Sequence, residues 1–491
     1  MIEPVLFAGC TPEVAAFAGR IIAVGPKARA AAGRRAEVVR LAGTAWPGLI
    51  DSHIHLEGLA DRKLTVDLAG SADLAECLAR VKAWAKPLKK DAWVVGGGWY
   101  NDVWPESAFP SRQHLDEAAG GRPAFLRRKD GHSAWASSEA LRLAGIDAVT
   151  EDPPGGTIDR DRRGAPTGIL RETALALVAR VLPAPTDTDL DDGLAVVLDD
   201  LAKLGLTAVH SMDTARCLAA LQRLSARGAL PVRVVYNLPL ADLAHAERLG
   251  VRSGWGDEWL RIWGVKAFLD GSLGSRTAEM LDGSGTVRLT QADLEEMLAR
   301  CARAELNVCL HAIGDGAVRR ALDALAGRRT ASPRWRPRLE HAQCVNPKDA
   351  TRMARLGVIA SMQPIHAVSD RELADALWPA VAKHSYAWGM LQRAGVRLAF
   401  GSDAPVETAD PLAGIEAATA WRRRAKWHPE LAVTRAAALR AYTSGAAYAA
   451  GMEDESGALR PGKLCDITVV ADGRVEATIA GGRVTFRRKR A

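Results

Sequence analysis

Residues 47–60 read PGLIDSHIHLEGLA, an apolar run that ends in two histidines, His53 and His55. In a β-strand, residues i and i+2 point to the same side, so the two imidazoles project together. Two convergent imidazoles are suited to binding a divalent metal. This stretch therefore predicts a buried strand that presents two metal-ligand side chains at its carboxyl end.

Seven later stretches are also short and apolar, and helical patterns such as residues 290–305 separate several of them. Alternation of this kind is typical of a parallel sheet, and eight such units predict an α/β fold, the (β/α)8 TIM barrel. The predicted strands are GLIDSHI (48–54), LTAVHSM (206–212), VRVVYNL (232–238), WGVKAFL (263–269), NVCLHA (307–312), RLEHA (338–342), VIASMQ (358–363) and RLAFGSD (397–403).

The two ends of the chain differ from this pattern, because both are rich in short alternating strands with Gly-containing turns. They predict a small composite β-sandwich domain built from residues 1–46 and 455–491. The barrel then occupies residues 47–454. The gap between its first two strands is too long for one loop, so residues 57–186 are predicted to form an inserted subdomain.

The composition of the chain indicates in which cellular compartment we expect the protein. The chain is 491 residues long and 48% hydrophobic, and none of its apolar runs approaches the roughly 18 residues that cross a bilayer. Its seven cysteines are odd in number and irregularly spaced, which argues against a disulfide framework and favours a reducing cytoplasm. We therefore expect a cytoplasmic protein without a membrane partner, while the oligomeric state stays open and a homodimer is compatible.

The net charge of +7 does not by itself indicate nucleic-acid binding. The basic residues cluster only in WRRRAK (421–426) and in the tail FRRKRA (486–491). We interpret the first cluster as a solvated helix face and the second as a frayed terminus, since a nucleic-acid binder would show one dense basic stripe.

Other predicted strands supply polar groups at the same end as the two histidines. Lys266, His311, His341 and Asp403 each lie at or near the carboxyl end of a predicted strand. Catalytic groups of a TIM barrel lie at this rim. Together with His53 and His55 they predict a metal site, and the imidazole-rich set favours zinc over iron or manganese.

Lys266 is unusual among these residues, because a protonated amine has no lone pair to donate and is repelled by cations. A carbamate formed from its amine and CO₂ would be an anion with two oxygens that could bridge two metals. Two alternatives stay open: Lys266 pairs with Asp270, or it holds a substrate anion beside a single metal.

The chain resembles the amidohydrolase superfamily in PGLIDSHIHL, the strand-four lysine, the histidines that end strands five and six, and GSDAP. Within that superfamily it resembles the YtcJ-like (Amidohydro_3) branch, which includes N-substituted formamide deformylases. The branch resemblance rests on GGGWYNDVWPE (96–106), RRKDGHSAWASSEAL (127–141), GVKAFLDGSLGSRTAEM (264–280), LHAIGDGAV (310–318), SMQPIHAVSD (361–370) and FGSDAPVETADPLAGI (400–415).

This resemblance implies hydrolysis of a non-peptide amide-type C–N bond in a small molecule. It implies that His53, His55 and Asp403 bind one metal and that His311 and His341 bind the other, with carbamylated Lys266 between them. A metal-activated hydroxide would attack the carbonyl carbon, and Asp403 would act as the catalytic base and then acid.

Two alternatives remain. A deaminase of the same superfamily would use one metal with His53, His55, His311 and Asp403 as ligands and His341 as the acid/base. A catalytically silent relative would act as a binding protein, which the intact ligand set disfavours.

Substrate contacts are harder to predict. The candidates are His132, Trp99, Arg276 and His366, with Trp104 as a further pocket residue. His132 could instead orient a loop, and the two tryptophans could be packing anchors. His210, Asp270 and Asp315 are expected to support the site from behind the ligands.

Overall fold

The computed structural model describes residues 3–327 and 334–489, and it divides the chain into two compact units. One unit comprises Met1–Gly58 with Leu194–Ala491, and the other comprises Leu59–Gly193. The second unit overlaps most of residues 57–186, where the sequence predicts an insertion, and extends past residue 186 to Gly193; the predicted domain boundaries themselves stay a prediction. Arg490 and Ala491 of the basic tail lie outside the described residues.

The strands in chain order are β1 (Val5–Thr11), β2 (Val14–Phe17), β3 (Arg20–Val24), β4 (Glu37–Pro47), β5 (Leu49–Ile54), β6 (Val66–Asp67), β7 (Val94–Trp99), β8 (Ala124–Arg128), β9 (Ser133–Ala136), β10 (Gly156–Arg160), β11 (Pro166–Glu172), β12 (Leu206–Ser211), β13 (Arg233–Pro239), β14 (Trp255–Gly256), β15 (Leu260–Phe268), β16 (Asn307–Ala312), β17 (Arg338–His341), β18 (Ile359–Met362), β19 (Leu398–Phe400), β20 (Ile467–Ala471), β21 (Arg474–Ala480) and β22 (Arg483–Arg487).

The α-helices are α1 (Ala28–Ala32), α2 (Leu56–Lys63), α3 (Leu74–Ala85), α4 (Arg112–Ala118), α5 (Ser138–Leu143), α6 (Leu175–Ala179), α7 (Asp187–Lys203), α8 (Ala215–Ala226), α9 (Leu243–Leu249), α10 (Gln291–Arg303), α11 (Asp315–Ala326), α12 (Pro347–Leu356), α13 (His366–Leu377), α14 (Trp388–Arg393), α15 (Pro411–Glu416), α16 (Arg422–Arg424), α17 (Arg435–Arg440) and α18 (Ala446–Ala449).

The predicted barrel is confirmed. Its parallel strands follow one another in the order β5-β12-β13-β15-β16-β17-β18-β19, and β14 is added as an antiparallel neighbour of β15. Each of the eight stretches predicted from the sequence overlaps one of these parallel strands. Beyond β19, the amide of Asp403 donates to the carbonyl oxygen of His53 at 2.8 Å, and the amide of His55 donates to Ala404 at 2.8 Å. These bonds join the last strand to the first at the rim that carries the histidines.

Helix α10 shows why the intervening segments fold as helices. The side chain of Thr290 accepts a hydrogen bond from the amide of Asp293 and caps the first turn. Apolar residues at helical spacing then face the barrel and are buried: Leu294, Met297, Leu298 and Cys301. Helices of this kind cover the parallel sheet and leave its carboxyl-end loops free to form a site.

The two chain ends form the predicted composite β unit. Seven strands make one sheet in the order β22-β21-β20-β4-β1-β2-β3. This sheet curls back on itself, because the amide of Ile21 in β3 donates to Lys463 just before β20, at 2.8 Å. Its two halves enclose a shared apolar core, in which Phe7 and Ile467 are fully buried. The predicted sandwich is thus a single folded sheet.

The Leu59–Gly193 unit has its own six-stranded sheet, in the order β10-β11-β9-β8-β7-β6. Its core contains the fully buried tryptophans Trp99 and Trp135, whose ring centroids lie 6.0 Å apart. The unit therefore has the packed interior expected of a compact domain.

One expectation about the surface is wrong. Arg422, in the cluster 421–426, is fully buried rather than solvated. Its guanidinium donates to backbone carbonyls of Ser385, Tyr386, Trp427 and His428. A buried guanidinium needs such partners, so this arginine fastens loops inside the unit.

All seven cysteines are free and buried, as their irregular spacing predicts. Within the described part of the chain, no helix combines the length and apolar character that crossing a membrane would need.

Candidate metal centre

The barrel rim brings together the six polar residues predicted from the strand ends. The Nε2 atoms of His53 and His55 lie 3.4 Å and 3.2 Å from the same carboxylate oxygen, Oδ1 of Asp403. The amine of Lys266 lies 3.3 Å from His53 Nε2. Each of these four side chains therefore has an atom within 3.4 Å of another of the four.

His341 and His311 complete the cluster. The ring of His341 lies 4.9 Å from that of His53 and 4.4 Å from that of His311, measured between centroids. One potential ligand atom from each of His53, His341 and Asp403 lies within 4.8 Å of the other two. The three side chains could thus surround one cation.

Two of the predicted ligand histidines each have a nitrogen atom without a partner among the described residues. Nδ1 of His311 and Nδ1 of His341 are buried and make no hydrogen bond. Leaving a buried polar atom without a hydrogen bond costs free energy, so these atoms indicate that a ligand binds there. The donor set fits a divalent metal on this ground, independently of any resemblance.

The backbone at two of these residues is left-handed. His341 has a φ of 70° and Asp403 a φ of 61°. In a regular strand His341 and Glu340 would face opposite sides, yet both lie next to His53. Non-glycine residues adopt such angles at a cost of about 1–3 kcal/mol, and they concentrate at functional sites. The conformation directs His341 into the cluster.

Burial sets the protonation of the imidazoles. It lowers the pKa of His53 to about 4 and that of His311 to about 3, and nearby Lys266 adds to both shifts. Burial and His311 also place the pKa of His341 well below its usual value. All three rings are therefore neutral near pH 7 and keep a lone pair for a metal.

His55 and Asp403 behave as an ion pair. Burial opposes the charge on His55, but hydrogen bonds to Asp213 and Asp403 outweigh it and raise the pKa of His55 to about 9. Burial likewise opposes the charge on Asp403, but the bond to His55 and the nearby imidazoles hold its pKa well below the usual value. The carboxylate of Asp403 is thus ionised and able to accept a proton.

Lys266 is buried in the barrel, and burial lowers the pKa of its amine. Its Nζ atom also lies 4.9 Å from the centroid of the Phe268 ring. An amine that loses its proton readily is a nucleophile, which is the property that carbamate formation requires.

Two buried carboxylates contact the histidines from behind, and the sequence analysis missed both. Oε2 of Glu340 lies 2.7 Å from Nδ1 of His53, and Oδ1 of Asp213 lies 3.8 Å from Nδ1 of His55. Asp213 is held in turn by Ser211 and by the amide of Leu56. The position of Glu340 directly before His341, two residues after Arg338 on a buried strand, was the available signal.

Three further predicted residues belong to the same compact unit as the histidine cluster and lie at different places around it. His366 reaches the site, because its Nε2 atom is buried 3.6 Å from Oδ2 of Asp403. His210 lies beneath it, with Nδ1 2.8 Å from Arg338. Asp270 accepts backbone amides of Ile313 and Gly314 and lies 3.7 Å from His311.

Arg276 is exposed and lines a separate groove of about 700 Å³, together with Asp315. Among the described residues, none of the clustered histidines lines that groove. A substrate contact by Arg276 accordingly stays a prediction.

The predicted residues of the Leu59–Gly193 unit contact other residues of that unit. Trp99 is fully buried and its indole donates to Leu126 at 2.9 Å, and Trp104 donates to Ser71 at 2.9 Å. These contacts match the packing role that the sequence also allowed. His132 is exposed, with Nδ1 3.1 Å from Glu172. Substrate contacts by His132 and Trp99 stay predictions.

A cavity of about 800 Å³ opens beside the cluster, with His55 and Lys266 in its wall. Most of its lining is apolar, formed by Met212, Pro239, Leu240, Ala241, Ala267, Phe268, Leu289, Pro405 and Val406, while Glu57, Asp213 and Arg288 add charge. A volume of this size suits a small or medium molecule.

Comparison with known proteins agrees with this geometry. A family model described as the Amidohydrolase family (Amidohydro_3) matches residues 42–486. The chain is 34% identical to Protein LONG AFTER FAR-RED 3 of Arabidopsis thaliana, with 90% of this chain and 82% of that protein covered. It is 30% identical to Putative amidohydrolase YtcJ of Bacillus subtilis, with 87% and 83% covered.

Two further matches carry chemical descriptions. The N-substituted formamide deformylase of Arthrobacter pascens is 30% identical, with 94% of this chain and 90% of that enzyme covered. The crystal structure of an uncharacterized metal-dependent hydrolase from Pyrococcus furiosus is 30% identical, with a TM-score of 0.76 and coverage of 96% and 98%. The resemblance found from the sequence motifs is confirmed.

Proposed function

Because the chain belongs to the amidohydrolase family, whose members include metal-dependent hydrolases, we propose that it hydrolyses a non-peptide amide-type C–N bond of a small molecule. One observation carries the proposal: neutral His53, neutral His341 and ionised Asp403 place potential ligand atoms within 4.8 Å of one another. Nδ1 of His341 is buried there without a hydrogen-bond partner among the described residues, and a cation between the side chains would satisfy it.

In this proposal, His53, His55 and Asp403 would hold one metal, for which His55 must give up the proton that its raised pKa favours, and His311 and His341 would hold a second. The imidazole-rich set favours zinc, with iron or manganese as substitutes. A metal held there lowers the pKa of a bound water towards neutrality and polarises a carbonyl oxygen.

Asp403 takes the proton of the attacking water and returns it to the leaving nitrogen. Its low pKa keeps it deprotonated at the start, as a general base requires. His366 is proposed to contact the substrate, because its unpartnered Nε2 atom lies 3.6 Å from Asp403. A donor there would orient the carbonyl group of an amide.

Lys266 is proposed to react through its amine with CO₂, releasing a proton, and the resulting carbamate would give the metal site an anionic oxygen ligand. Its burial and lowered pKa support this role. Crystals grown with bicarbonate and zinc should show carbamate density on Nζ. A bare amine in such crystals, in a chain that carries two metals, would contradict this role.

The largely apolar cavity beside His55 and Lys266 supports a small or medium amide as the substrate. The seven free, buried cysteines support a cytoplasmic location. These two proposals concern the setting of the reaction rather than its chemistry.

The decisive experiment loads the purified chain with zinc, counts metal per chain, and screens N-formyl, N-acyl and cyclic amides for release of an amine or acid. We expect turnover of at least one amide, loss of turnover after chelation, and recovery when zinc is restored. His341→Asn, which removes one ligand, should lose both metal and turnover.

The control in this screen is the surface variant His245→Asn, because His245 is exposed and its Nδ1 atom lies 3.6 Å from Asp242, away from the histidine cluster. It should match the parent in both assays. Hydrolysis that persists in the metal-free chain would contradict the proposal, and one metal per chain with release of ammonia would favour the mononuclear deaminase.

A further inference from the structure

A fully buried ion pair lies beneath the metal centre. Arg338 and Glu340 share strand β17, and both side chains are completely inaccessible to solvent. Nε of Arg338 donates to Oε1 of Glu340 at 2.8 Å, and Nη2 donates to Oε2 at 3.1 Å. Bidentate contacts of this kind hold a carboxylate in one orientation.

A further lone pair of the Glu340 carboxylate accepts a hydrogen bond from His53. Its Oε2 lies 2.7 Å from Nδ1 of that histidine. An ionised carboxylate can only accept hydrogen bonds, so the hydrogen of the neutral imidazole must be on Nδ1. The lone pair is therefore on Nε2, the atom that lies 3.4 Å from Asp403.

Arg338 is itself anchored to the neighbouring strands. Nη2 donates to the carbonyl oxygen of Ser52 at 2.5 Å and to Oγ of Ser361 at 2.9 Å, while Nη1 lies 2.8 Å from Nδ1 of His210. These residues belong to β5, β18 and β12, so four barrel strands hold the guanidinium. Glu340 accordingly cannot turn away from His53 without breaking several buried hydrogen bonds.

We propose that Glu340, held by Arg338, is a positioning residue that sets the tautomer and ring orientation of His53 so that Nε2 can bind the metal. The inference rests on the proposed function, since it assumes a metal at His53. Carboxylates that hydrogen-bond a ligating histidine typically change metal affinity by about 10-fold to 100-fold.

Glu340→Gln tests the role of the carboxylate. Glutamine has one acceptor oxygen, which Arg338 would claim, and its NH₂ group would then face Nδ1 of His53. The hydrogen would move to Nε2 and block the ligand atom. We expect zinc affinity, measured by chelator competition, to fall by about 10-fold to 100-fold, and the visible spectrum of the cobalt-loaded chain to change.

The matched control is Asp466→Asn. Asp466 is also buried in a bidentate pair, with Arg233, at 2.9 Å and 3.1 Å, but it touches none of the metal-site residues. It should bind zinc as tightly as the parent and give the parental cobalt spectrum. Equal zinc affinity in the parent, Glu340→Gln and Asp466→Asn would overturn the inference.

Two double variants keep the test decisive if Glu340→Gln does not fold, because each removes both buried charges together. In Arg338→Met/Glu340→Gln, the amide oxygen is released from the arginine and can accept from Nδ1 of His53. In Arg338→Met/Glu340→Leu, no acceptor remains. We expect the first to bind zinc about 10-fold more tightly, and equal affinities would overturn the inference.

Metal binding by the parent chain distinguishes a failure of the proposed function from a failure of this inference. A parent chain that binds neither zinc nor cobalt would overturn the proposed function together with this inference. A parent that binds metal, with affinities that do not depend on residue 340, would overturn the inference alone.

Discussion

Two buried arginine–carboxylate pairs can be compared within the unit formed by Met1–Gly58 and Leu194–Ala491. Arg233 and Asp466 join barrel strand β13 to the loop before β20, whereas Arg338 and Glu340 lie on one barrel strand. Their bidentate distances are nearly the same, 2.9 Å and 3.1 Å against 2.8 Å and 3.1 Å.

The pairs differ in what the carboxylate does with its remaining lone pairs. Asp466 accepts the backbone amide of Gly481 at 2.7 Å and so closes a turn of the terminal sheet. Glu340 accepts from the imidazole of His53 at 2.7 Å. The Arg233–Asp466 pair thus holds the terminal sheet to the barrel, whereas the Arg338–Glu340 pair orients His53. The two roles differ because the two carboxylates have different third partners.

The largest expected effect comes from the site itself. Asp403→Asn should leave most metal bound and lower kcat by about 10²–10⁴-fold, because the amide cannot take a proton from water. Steady-state kinetics and metal counting on the same sample measure this. Asp466→Asn, assayed below its melting temperature, should retain parental kcat, and equal kcat in Asp403→Asn would remove that residue from the chemistry.

The next effect concerns stability. Asp466→Asn leaves Arg233 buried without its counter-charge, which typically costs about 3–5 kcal/mol. Its melting temperature should therefore fall well below that of the parent, while metal content per folded chain stays the same. An unchanged melting temperature would mean that the pair does not fasten the terminal sheet to the barrel.

Zinc binding should stabilise the two carboxylate variants unequally. A ligand at 100 times its Kd adds about 2.7 kcal/mol to the folded state. Melting with and without that zinc concentration should show this gain in the parent and in Asp466→Asn, and a smaller gain in Glu340→Gln. Equal gains in all three would erase the distinction between the pairs.

The smallest effect is expected for a substitution of Ser361, one of the hydrogen-bond acceptors of Arg338. Ser361→Ala removes one of the acceptors of Arg338 Nη2, whose bonds to Glu340 and Ser52 remain. Oγ of Ser361 also lies 3.1 Å from Oγ of Ser52, so the variant loses two hydrogen bonds and about 1–2 kcal/mol of stability. Differential melting measures it, and kcat should stay near the parental value.

Local pattern was enough to predict the barrel strands and the residues at their ends. Apolar runs, their lengths and the helical stretches between them depend on neighbours in the chain, and parallel strands place their carboxyl ends at one rim. His366 could be placed near the site for the same reason, because it follows a barrel strand. The burial of Arg422 could not, since the carbonyls that surround it come from other segments.

The contact between His53 and Glu340 and the backbone conformation of His341 could not be predicted from the local sequence pattern. His53 and Glu340 are 287 positions apart, and only closure of the barrel brings them to 2.7 Å. The left-handed backbone of His341 lets two adjacent residues of β17 face one histidine, which strict alternation along a strand would forbid.

The sequence by itself determined which groups could bind a metal and on which strands they lie, because side-chain chemistry and periodicity are properties of the chain. The tertiary structure decided which nitrogen of His53 faces the centre and which carboxylate holds it there. Those choices depend on contacts between distant strands in a buried interior, where an unpaired polar atom costs much free energy.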